Sequence, residues 1–309
     1  MEKKMLINKL PGGTWNWLKV NEAAIDWDED KTAELPEENI TAESARLTVK
    51  GEGEYSRKRV SVDAAPGSSV TVFETFENAA KLAVETELTA REGACIRLVQ
   101  IQSTGKESLL YNRVSGECAK NGRIELVQIL IGAGDAYCDS HIELSGEGSG
   151  FKADIGYLGQ REQKLDMNLA VDHWGKSTES EINAAGALKD AAHKVFRGTI
   201  DFKNGSSASV GNEKETVLML GDDVVNKTVP LILCAEENVE GTHGATIGEM
   251  DDDTRFYFGS RGIDRETAEK LLSRAAIARV AQQVKSETAR AAILNELDGE
   301  MDENDGLQA

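Results

Sequence analysis

The stretch IRLVQI at residues 96–101 is followed by a near copy, IELVQI, at residues 124–129. The copies are offset by 28 residues, and each follows a glycine-containing turn, REGAC before the first and AKNGR before the second. A fixed offset of this size is typical of stacked repeats, which bury their apolar faces only against a neighbouring repeat. The pair therefore predicts a β-solenoid. An antiparallel β-sandwich is the alternative, because short strands and glycine turns suit both folds.

The sequence around this pair has the same character from about residue 68 to residue 248. Short β-rich runs such as SHIELSG and KLDMNLAVDH alternate with Gly, Asn, Asp and Ser. In RIELVQILI, residues 123–131, successive side chains are expected on opposite faces of a strand, which makes one face mostly apolar. That face carries Ile124, Leu126, Gln128 and Leu130, and the other carries Glu125, Val127, Ile129 and Ile131.

A helical pattern begins at Asp264. The segment DRETAEKLLSRAAIARVAQQV has Asp264 as a candidate N-cap, acidic residues early in the helix and apolar residues at helical spacing. A second short helix is expected to start at Ser286 and to run through ETARAAILNEL. The last residues, DGEMDENDGLQA, are acidic and lack a face that could pack, which predicts a flexible tail.

These patterns divide the chain into four expected parts. Residues 1–60 form a polar segment whose tryptophans are expected to dock on the main body of the protein. Residues 61–248 form the β-helix core, residues 249–297 form a C-terminal helical unit, and residues 298–309 form the acidic tail. The tryptophans of the first part are Trp15, Trp17 and Trp27.

The composition argues against several classes of function. The formal net charge is -19 and the sequence pI is ≈ 4.7, whereas nucleic-acid binding depends on Lys and Arg side chains that neutralise phosphates. No apolar run approaches the ~20 residues needed to span a bilayer. The first residues, MEKKMLINKLPGG, lack the apolar stretch of a secretion signal. The sequence therefore predicts a cytoplasmic protein that binds neither nucleic acid nor a membrane.

Motifs for zinc, nucleotide or hydrolytic chemistry are incomplete. AVDHWGKST, residues 170–178, ends like a phosphate-binding loop, but its first position is alanine and its middle reads as a strand. EMDDD, residues 249–253, lacks the spacing of a calcium loop and is expected to be a solvated acidic turn. Neither G-x-S-x-G nor H-E-x-x-H occurs, which argues against a self-contained hydrolase. Four widely spaced cysteines are expected to be free thiols: Cys95, Cys118, Cys138 and Cys234.

The region before His243 is rich in potential metal ligands. Cys234, Glu236, Glu237, Glu240 and His243 lie within ten residues at the expected last edge of the solenoid. Thiolate, carboxylate and imidazole together suit iron or zinc. A capped surface histidine is the alternative, because a lone histidine near a domain boundary usually has that role. The other histidines are expected to be structural: His141, His173 and His193.

These residues also carry a family resemblance. HGATIGEMDDDTRFYFGSRGI, residues 243–263, closely resembles the signature of the SufB and SufD family of iron–sulfur cluster assembly proteins. The likeness is closer to SufD than to SufB, since Gly244 follows His243 where SufB-type sequences have glutamate. Further segments similar to the family are GTWNWLKVN at residues 13–21, VFRGTIDF at residues 195–202 and KTVPLILCAEENVEGTHGA at residues 227–245.

The resemblance implies a right-handed parallel β-helix followed by helices. It further implies a non-catalytic scaffold subunit that works with a SufB-like paralogue, or with a second copy of itself, and with a SufC-like ABC ATPase. The helical unit would dock this ATPase, so the chain is expected to have no nucleotide site of its own. The expected cargo is a transient iron–sulfur cluster or iron.

The resemblance also implies candidate ligands by position. His243 matches the family histidine implicated in building the nascent cluster at the interface of SufB and SufD. Many SufD sequences have a cysteine two residues earlier, whereas this chain has Gly241. Cys234, from the ligand-rich region before His243, is the second candidate metal ligand; it need not replace the missing cysteine, because seven residues of extended chain can span over ~20 Å. The residues expected to fix the junction with the helices are Arg261, Phe256, Tyr257 and Phe258.

The expected mechanism is indirect. SufC dimerises on ATP and pulls on the helical unit, and the pair of β-helices shifts to open buried thiol and imidazole ligands to iron and sulfide. His243 would act as a neutral nitrogen ligand. Three alternatives stay open: a SufB-type self-pairing scaffold in a two-component system, a β-solenoid carbohydrate-active enzyme, and a structural or adhesive solenoid without chemistry.

Overall fold

The structure is a computed structural model that describes residues 4–14, 16–77, 80–284 and 287–303. Parallel strands form a solenoid of about 7 turns, with few helices near the C-terminal end. The strands and helices are β1 Lys4–Ile7, β2 Ala23–Asp26, β3 Ala33–Glu34, β4 Glu38–Ile40, β5 Ser44–Lys50, β6 Tyr55–Ala64, β7 Ser69–Glu77, β8 Lys81–Ala90, β9 Cys95–Gln102, β10 Leu109–Cys118, β11 Arg123–Leu130, β12 Asp135–Leu144, β13 Gly150–Gly159, β14 Lys164–His173, β15 Glu179–Lys189, β16 His193–Phe202, β17 Ser209–Leu220, β18 Val225–Cys234, β19 Val239–Glu249, α1 Asp252–Gly259, α2 Arg265–Ala281 and α3 Glu287–Glu303.

Consecutive strands of the solenoid alternate between two parallel sheets. Sheet I has the order β18-β16-β14-β12-β10-β8-β6-β3, with β4 also paired to β6, and sheet II has the order β19-β17-β15-β13-β11-β9-β7-β5. The two near-copy segments pair directly in sheet II, where Ile96 lies beside Ile124 and Leu98 beside Leu126. The offset of the copies is therefore one turn. The predicted solenoid is confirmed, and the antiparallel sandwich is excluded.

The two sheets enclose a core of side chains from alternate strand positions. In β11, Ile124, Leu126 and Leu130 are buried in this core. Each fully buried side chain of this kind stabilises the fold by roughly 1.5–3 kcal/mol relative to exposure. Gln128 also points inward, where its Nε2 donates a hydrogen bond to Gln100 Oε1 at 2.9 Å. The interior therefore combines apolar stacks with stacked amides.

The opposite face of β11 is buried as well. Val127, Ile129 and Ile131 pack in one cluster with Ile277 and Val280 of α2. The periodicity of the sequence predicts one mostly apolar face, and this prediction was incomplete. Strand periodicity gives the side on which a residue lies, but not what covers that side.

Capping side chains start the first two helices. Asp251 accepts a hydrogen bond from the Thr254 N–H at 2.7 Å and begins α1. The segment EMDDD is therefore a helix start and not the predicted acidic turn. Asp264 accepts from the Thr267 N–H at 2.8 Å and begins α2, which confirms the predicted N-cap. None of the helices in the described ranges is both long and apolar enough to cross a bilayer.

The third helix extends into the segment predicted to be a flexible tail. Ser286, its predicted start, lies outside the described residues, and α3 runs from Glu287 to Glu303. Within it, Asp298 accepts a hydrogen bond from Arg274 Nε of α2 at 2.6 Å. The remaining tail residues, 304–309, also lie outside the described part of the chain.

Residues 4–14 and 16–27 form an N-terminal arm that packs on tyrosines of sheet I. The arm contains the antiparallel pair β1 and β2. Its Trp27 is buried and stands edge-on to Tyr55, with the ring centroids 5.5 Å apart. Trp27 therefore docks on the main body as expected, whereas Trp17 is 72% exposed. Trp15 lies outside the described residues.

The solenoid begins earlier than the predicted core boundary at residue 61. Sheet I already includes β3, and sheet II starts at β5. The N-terminal arm reaches from these first turns towards the opposite end of the solenoid. Arg197 of β16 donates to the carbonyl of Val20 at 2.5 Å, and Lys227 of β18 donates to the carbonyl of Leu18 at 2.9 Å. The polar N-terminal segment is therefore attached to both early and late strands.

Candidate functional site

Both predicted ligands lie on the terminal coil, which consists of β18, β19 and the connection at residues 235–238. In the described residues, β18 is the end strand of sheet I and β19 is the end strand of sheet II, so each has one edge without a paired strand. Cys234 is the last residue of β18, and His243 is the fifth residue of β19. Both residues are exposed.

The strand register gives the direction of these two side chains. Cys234 pairs with Phe202, and His243 pairs with Glu213. Phe202 belongs to the interior core and Glu213 is 5% exposed at an inward position between exposed residues. Paired residues of neighbouring strands point to the same side of a sheet. Cys234 and His243 therefore occupy interior-facing positions and are exposed at the end of the solenoid.

The acidic residues near His243 do not join it in a metal site within this chain. Glu236 instead forms the turn after β18, where its carboxylate accepts hydrogen bonds from the N–H groups of Asn238 and Gly205. These hydrogen bonds hold the pKa of Glu236 below its ordinary value. Among the described residues, no group of three or more His, Cys, Asp or Glu side chains is arranged to hold a metal ion.

The surroundings of Gly241, two residues before His243, leave little space for a cysteine side chain. A Cβ atom at this position would lie 3.0 Å from Ile232 Cγ2 and 3.1 Å from the Phe202 ring. Such contacts are tighter than those of ordinary side chains, so a larger residue would have to displace the neighbouring core. A cysteine at residue 241 of this chain would therefore require shifted neighbours in β16 and β18.

The thiols differ in accessibility, and all four are free as predicted. Burial raises the pKa of Cys118 and of Cys138 to about 12. Both thiols are therefore protonated at neutral pH, whereas the thiolate is the form that ligates metals. Cys95 is partly buried, and Cys234 is exposed. Cys234 is therefore the most accessible of the four thiols.

A buried polar layer lies directly beneath the terminal coil. Glu215 accepts hydrogen bonds from Lys194 Nζ, from Tyr157 Oη at 3.3 Å and from Thr228 Oγ1 at 2.6 Å. Burial lowers the pKa of Lys194, and the neighbouring Glu215 carboxylate opposes this shift. The Glu215 carboxylate thus has three hydrogen-bond donors. Lys194 and Glu215 therefore form a buried structural ion pair.

Glu213 belongs to the same layer and was not identified from the sequence. One of its carboxylate oxygens is buried without a hydrogen-bond partner. Burial raises the pKa of Glu213 to about 7, and the nearby Glu215 carboxylate adds to the shift. A Cβ atom at Gly198 would overlap the Glu213 carboxylate, so the missing side chain at residue 198 makes room for it. The strand register shows that Glu213 points inward, and the sequence alone carried no signal for this.

Two of the other three histidines have local structural partners. His173 is buried between the hydroxyls of Thr178 at 2.7 Å and Ser180 at 2.9 Å. Burial lowers its pKa to about 4, so it is neutral at physiological pH. His141 lies 3.2 Å from an Asp172 carboxylate oxygen, and this hydrogen bond raises the His141 pKa. His193 is exposed at the start of β16.

Two of the three aromatic residues of α1 are exposed, whereas Phe258 is half-buried. Phe256 is 78% exposed and Tyr257 is 52% exposed. Arg261 lies over the Tyr257 ring with its Cζ 3.8 Å from the ring centroid. The expectation that these side chains fix the junction was therefore wrong for Phe256 and Tyr257. Their exposure instead gives the helical unit an apolar surface.

A groove of about 880 Å³ runs along the outer face of sheet II and reaches β19. Charged side chains of both signs line it. Several of these side chains form ion pairs with each other: Arg123 lies 3.5 Å from Glu179, and Lys152 lies 3.8 Å from Glu181. These acids and bases are the feature that the carbohydrate-active alternative requires on one solenoid face. The ion pairing between these side chains argues that the groove is a solvated surface and not an active site.

Comparison with known proteins links this architecture to cluster assembly. A family model described as SUF system FeS cluster assembly, SufBD core domain, matches residues 47–276. The chain is 26% identical over 211 residues to the iron-sulfur cluster assembly protein SufD of Bacillus subtilis, covering 66% of this chain and 48% of that protein. It is 22% identical over 237 residues to SufD of Escherichia coli, covering 75% and 56%. It is 24% identical over 236 residues to SufB of Bacillus subtilis, covering 74% and 50%. The chain therefore spans about half the length of the curated relatives it matches.

Proposed function

Because the chain belongs to the SufB/SufD family of iron–sulfur cluster assembly proteins, we propose that it is a SufD-like scaffold subunit of the SUF system. In this proposal it helps to build a nascent cluster at the interface with a SufB-like paralogue. The observation that carries the proposal is the exposed imidazole of His243 at an interior-facing position of the terminal coil. A partner that covers this end of the solenoid would contact His243 directly.

The ligand types fit the proposed cargo. The exposed end offers an imidazole nitrogen from His243 and a thiol from Cys234. Both ligand types bind iron in proteins. Ligand binding would require the neutral imidazole and the thiolate. The iron–sulfur cluster is a transient cargo in this proposal, and the partner subunit supplies the ligands that this chain lacks.

The edges of the terminal strands support docking of a second solenoid. An unpaired strand edge presents N–H and C=O groups that another strand can bind. Two apolar side chains near this edge are exposed, Leu233 at 37% and Ile247 at 47%. A SufB-like paralogue is the proposed occupant. A second copy of this chain is the alternative, since two identical ends would also cover each other.

We propose that the helical unit at residues 249–297 docks a SufC-like ABC ATPase in the cytoplasm. Phe256 and Tyr257 of α1 and Leu271 of α2 provide exposed apolar contacts for it. The helix α2 packs on the outer face of sheet II through the cluster around Ile277, and α3 packs on α2. Movement of the helices by the ATPase would therefore act directly on the sheet that ends in His243.

The test is co-expression of the full chain with a SufB-like and a SufC-like subunit. The complex is purified through a tag on one subunit, and co-eluting subunits, iron and acid-labile sulfide are measured. All three subunits are expected to co-elute with bound iron and sulfide. His243→Ala is expected to leave the subunit composition unchanged and to lower iron and sulfide several-fold. Cys234→Ala then ranks the second candidate ligand.

His193→Ala is the matched control, because it removes an exposed histidine at the start of β16, where its paired residue in the terminal coil is Val225 and not a proposed ligand. It is expected to retain the wild-type iron content. Loss of the ATPase during purification would refute docking by the helical unit. Wild-type iron and sulfide in His243→Ala would refute its role as a ligand. Retention of two copies of this chain without a paralogue would favour the self-pairing alternative.

A further inference from the structure

Two inward-pointing carboxylates of β17 have different surroundings. Glu215 accepts hydrogen bonds from Tyr157, Thr228 and Lys194. Glu213, two residues earlier on the same face, is 5% exposed and has one carboxylate oxygen buried without a hydrogen-bond partner. Leaving a buried polar group unsatisfied costs about 1–3 kcal/mol, and more for a charged group. A positively charged ligand beside Glu213 would offset this cost.

The position of Glu213 relates it to the proposed site. Glu213 and His243 are paired residues of adjacent parallel strands, so their Cα atoms are separated by the strand spacing of ~4.8 Å. Their side chains point to the same side of sheet II. The Glu213 carboxylate has room in the interior because residue 198 is glycine. Glu213 therefore lies one layer beneath His243, and its carboxylate occupies the space that a side chain at residue 198 would fill.

We propose that Glu213 and His243 together bind a divalent iron ion at the end of the solenoid, through a carboxylate oxygen and an imidazole nitrogen. This inference rests on the proposed function and adds a ligand from the coil beneath the exposed surface. Oxygen and nitrogen ligands of this kind suit Fe²⁺. The chain supplies this pair, and the partner subunit and sulfide occupy the other coordination positions.

The competing explanation is that Glu213 is a buried acid without a ligand. Both explanations predict that Glu213→Gln stabilises the metal-free chain, because the amide is neutral and nearly the same size as the acid. They differ in the response to iron. A ligand role predicts that Fe²⁺ stabilises the wild-type chain by mass action and that the variant loses this stabilisation. A buried acid without a ligand predicts no difference.

The experiment uses the full chain and Fe²⁺ under anaerobic conditions, with calorimetric titration and thermal unfolding with and without the ion. Glu213→Gln and His243→Ala are each expected to weaken Fe²⁺ binding at least tenfold and to abolish the Fe²⁺-dependent rise in Tm. Glu213→Asp, which keeps the carboxylate, is expected to recover part of the affinity. Glu181→Gln removes a carboxylate from the outer face of sheet II and is expected to bind Fe²⁺ within twofold of wild type.

Wild-type Fe²⁺ affinity in Glu213→Gln, with loss in His243→Ala, would overturn the Glu213 assignment and leave the scaffold proposal intact. Absence of an Fe²⁺-dependent change in Tm for the wild-type chain would overturn the shared site. Failure of the scaffold proposal has a separate signature, which is the loss of the paralogue and the ATPase from the purified complex.

Discussion

Replacing Glu74 by glutamine is expected to stabilise the protein in a strongly pH-dependent manner. Glu74 is completely buried in the solenoid interior and accepts a hydrogen bond from Gln100 Nε2 at 2.7 Å. Burial raises its pKa from 4.5 to about 7, and the hydrogen bonds from Gln100 and Thr86 oppose the shift. The raised pKa means that the folded protein holds a proton that the unfolded chain releases.

The sign and size of the stability change follow from this difference in protonation between the folded and the unfolded chain. The protonated acid favours folding below pH 4.5, and this contribution is lost as the pH rises through about 7. The shift corresponds to about 3 kcal/mol at pH 8, because one pKa unit is about 1.4 kcal/mol. At pH 5 the residual cost of the wild-type carboxylate is under ~1 kcal/mol. Glutamine has no charge to bury and keeps an oxygen that accepts from Gln100.

The assay is equilibrium unfolding in urea at pH 5, 6.5 and 8. Glu74→Gln is expected to raise the free energy of unfolding by about 2–3 kcal/mol at pH 8 and by under ~1 kcal/mol at pH 5. Glu87→Gln, at an exposed position of β8, is the control and is expected to change stability by less than ~0.5 kcal/mol at each pH. A variant no more stable than wild type at pH 8, or a gain equal at all three pH values, would refute the reasoning.

Three further predictions concern other parts of the fold. The pKa of His173 is about 4 in the folded protein and 6.5 in the unfolded chain, so only the unfolded chain takes up a proton between pH 7 and pH 5. The free energy of unfolding of the wild type should therefore fall by about 2 kcal/mol over this range, and urea unfolding of His173→Gln should lack this dependence. In Gly186→Ala, the added Cβ would overlap the Tyr157 ring and carbonyl, so thermal unfolding should show a loss of about 1–3 kcal/mol. Ile277→Ala removes a fully buried α2 side chain, so stability should fall by about 2–5 kcal/mol and limited proteolysis should release the helices before the solenoid.

The sequence predicted the features that depend on local pattern. One repeated segment gave the turn length, because a stacked coil must place like residues beside each other, as Ile96 lies beside Ile124. Asp264 was identifiable because an N-cap side chain bonds to a backbone N–H only three residues away. Both inferences use contacts whose partners are fixed by the spacing of residues along the chain.

Features that depend on contacts between distant elements could not be predicted in this way. The outward residues of β11 gave no sign that α2 covers them, since α2 follows more than a hundred residues later. Glu213 resembled a surface acid in a charged segment, NEKET, until the register placed it inward. The exposure of Phe256 could not be predicted either, because aromatic residues are more often buried than exposed. In each case the identity of the residue was clear and its neighbours were not.

The interior register of the solenoid also bears on the binding site proposed at its end. Every coil places alternate residues towards the axis, and in most coils the next coil covers them. At the terminal coil the same positions carry Cys234 and His243 in place of core residues such as Phe202. A partner packed against this end would enclose these side chains between two solenoids and exclude water, as an additional coil would. Metal ligands placed there would be accessible while the end is open and protected once the partner docks, so assembly of the subunits and protection of the cargo would be the same event.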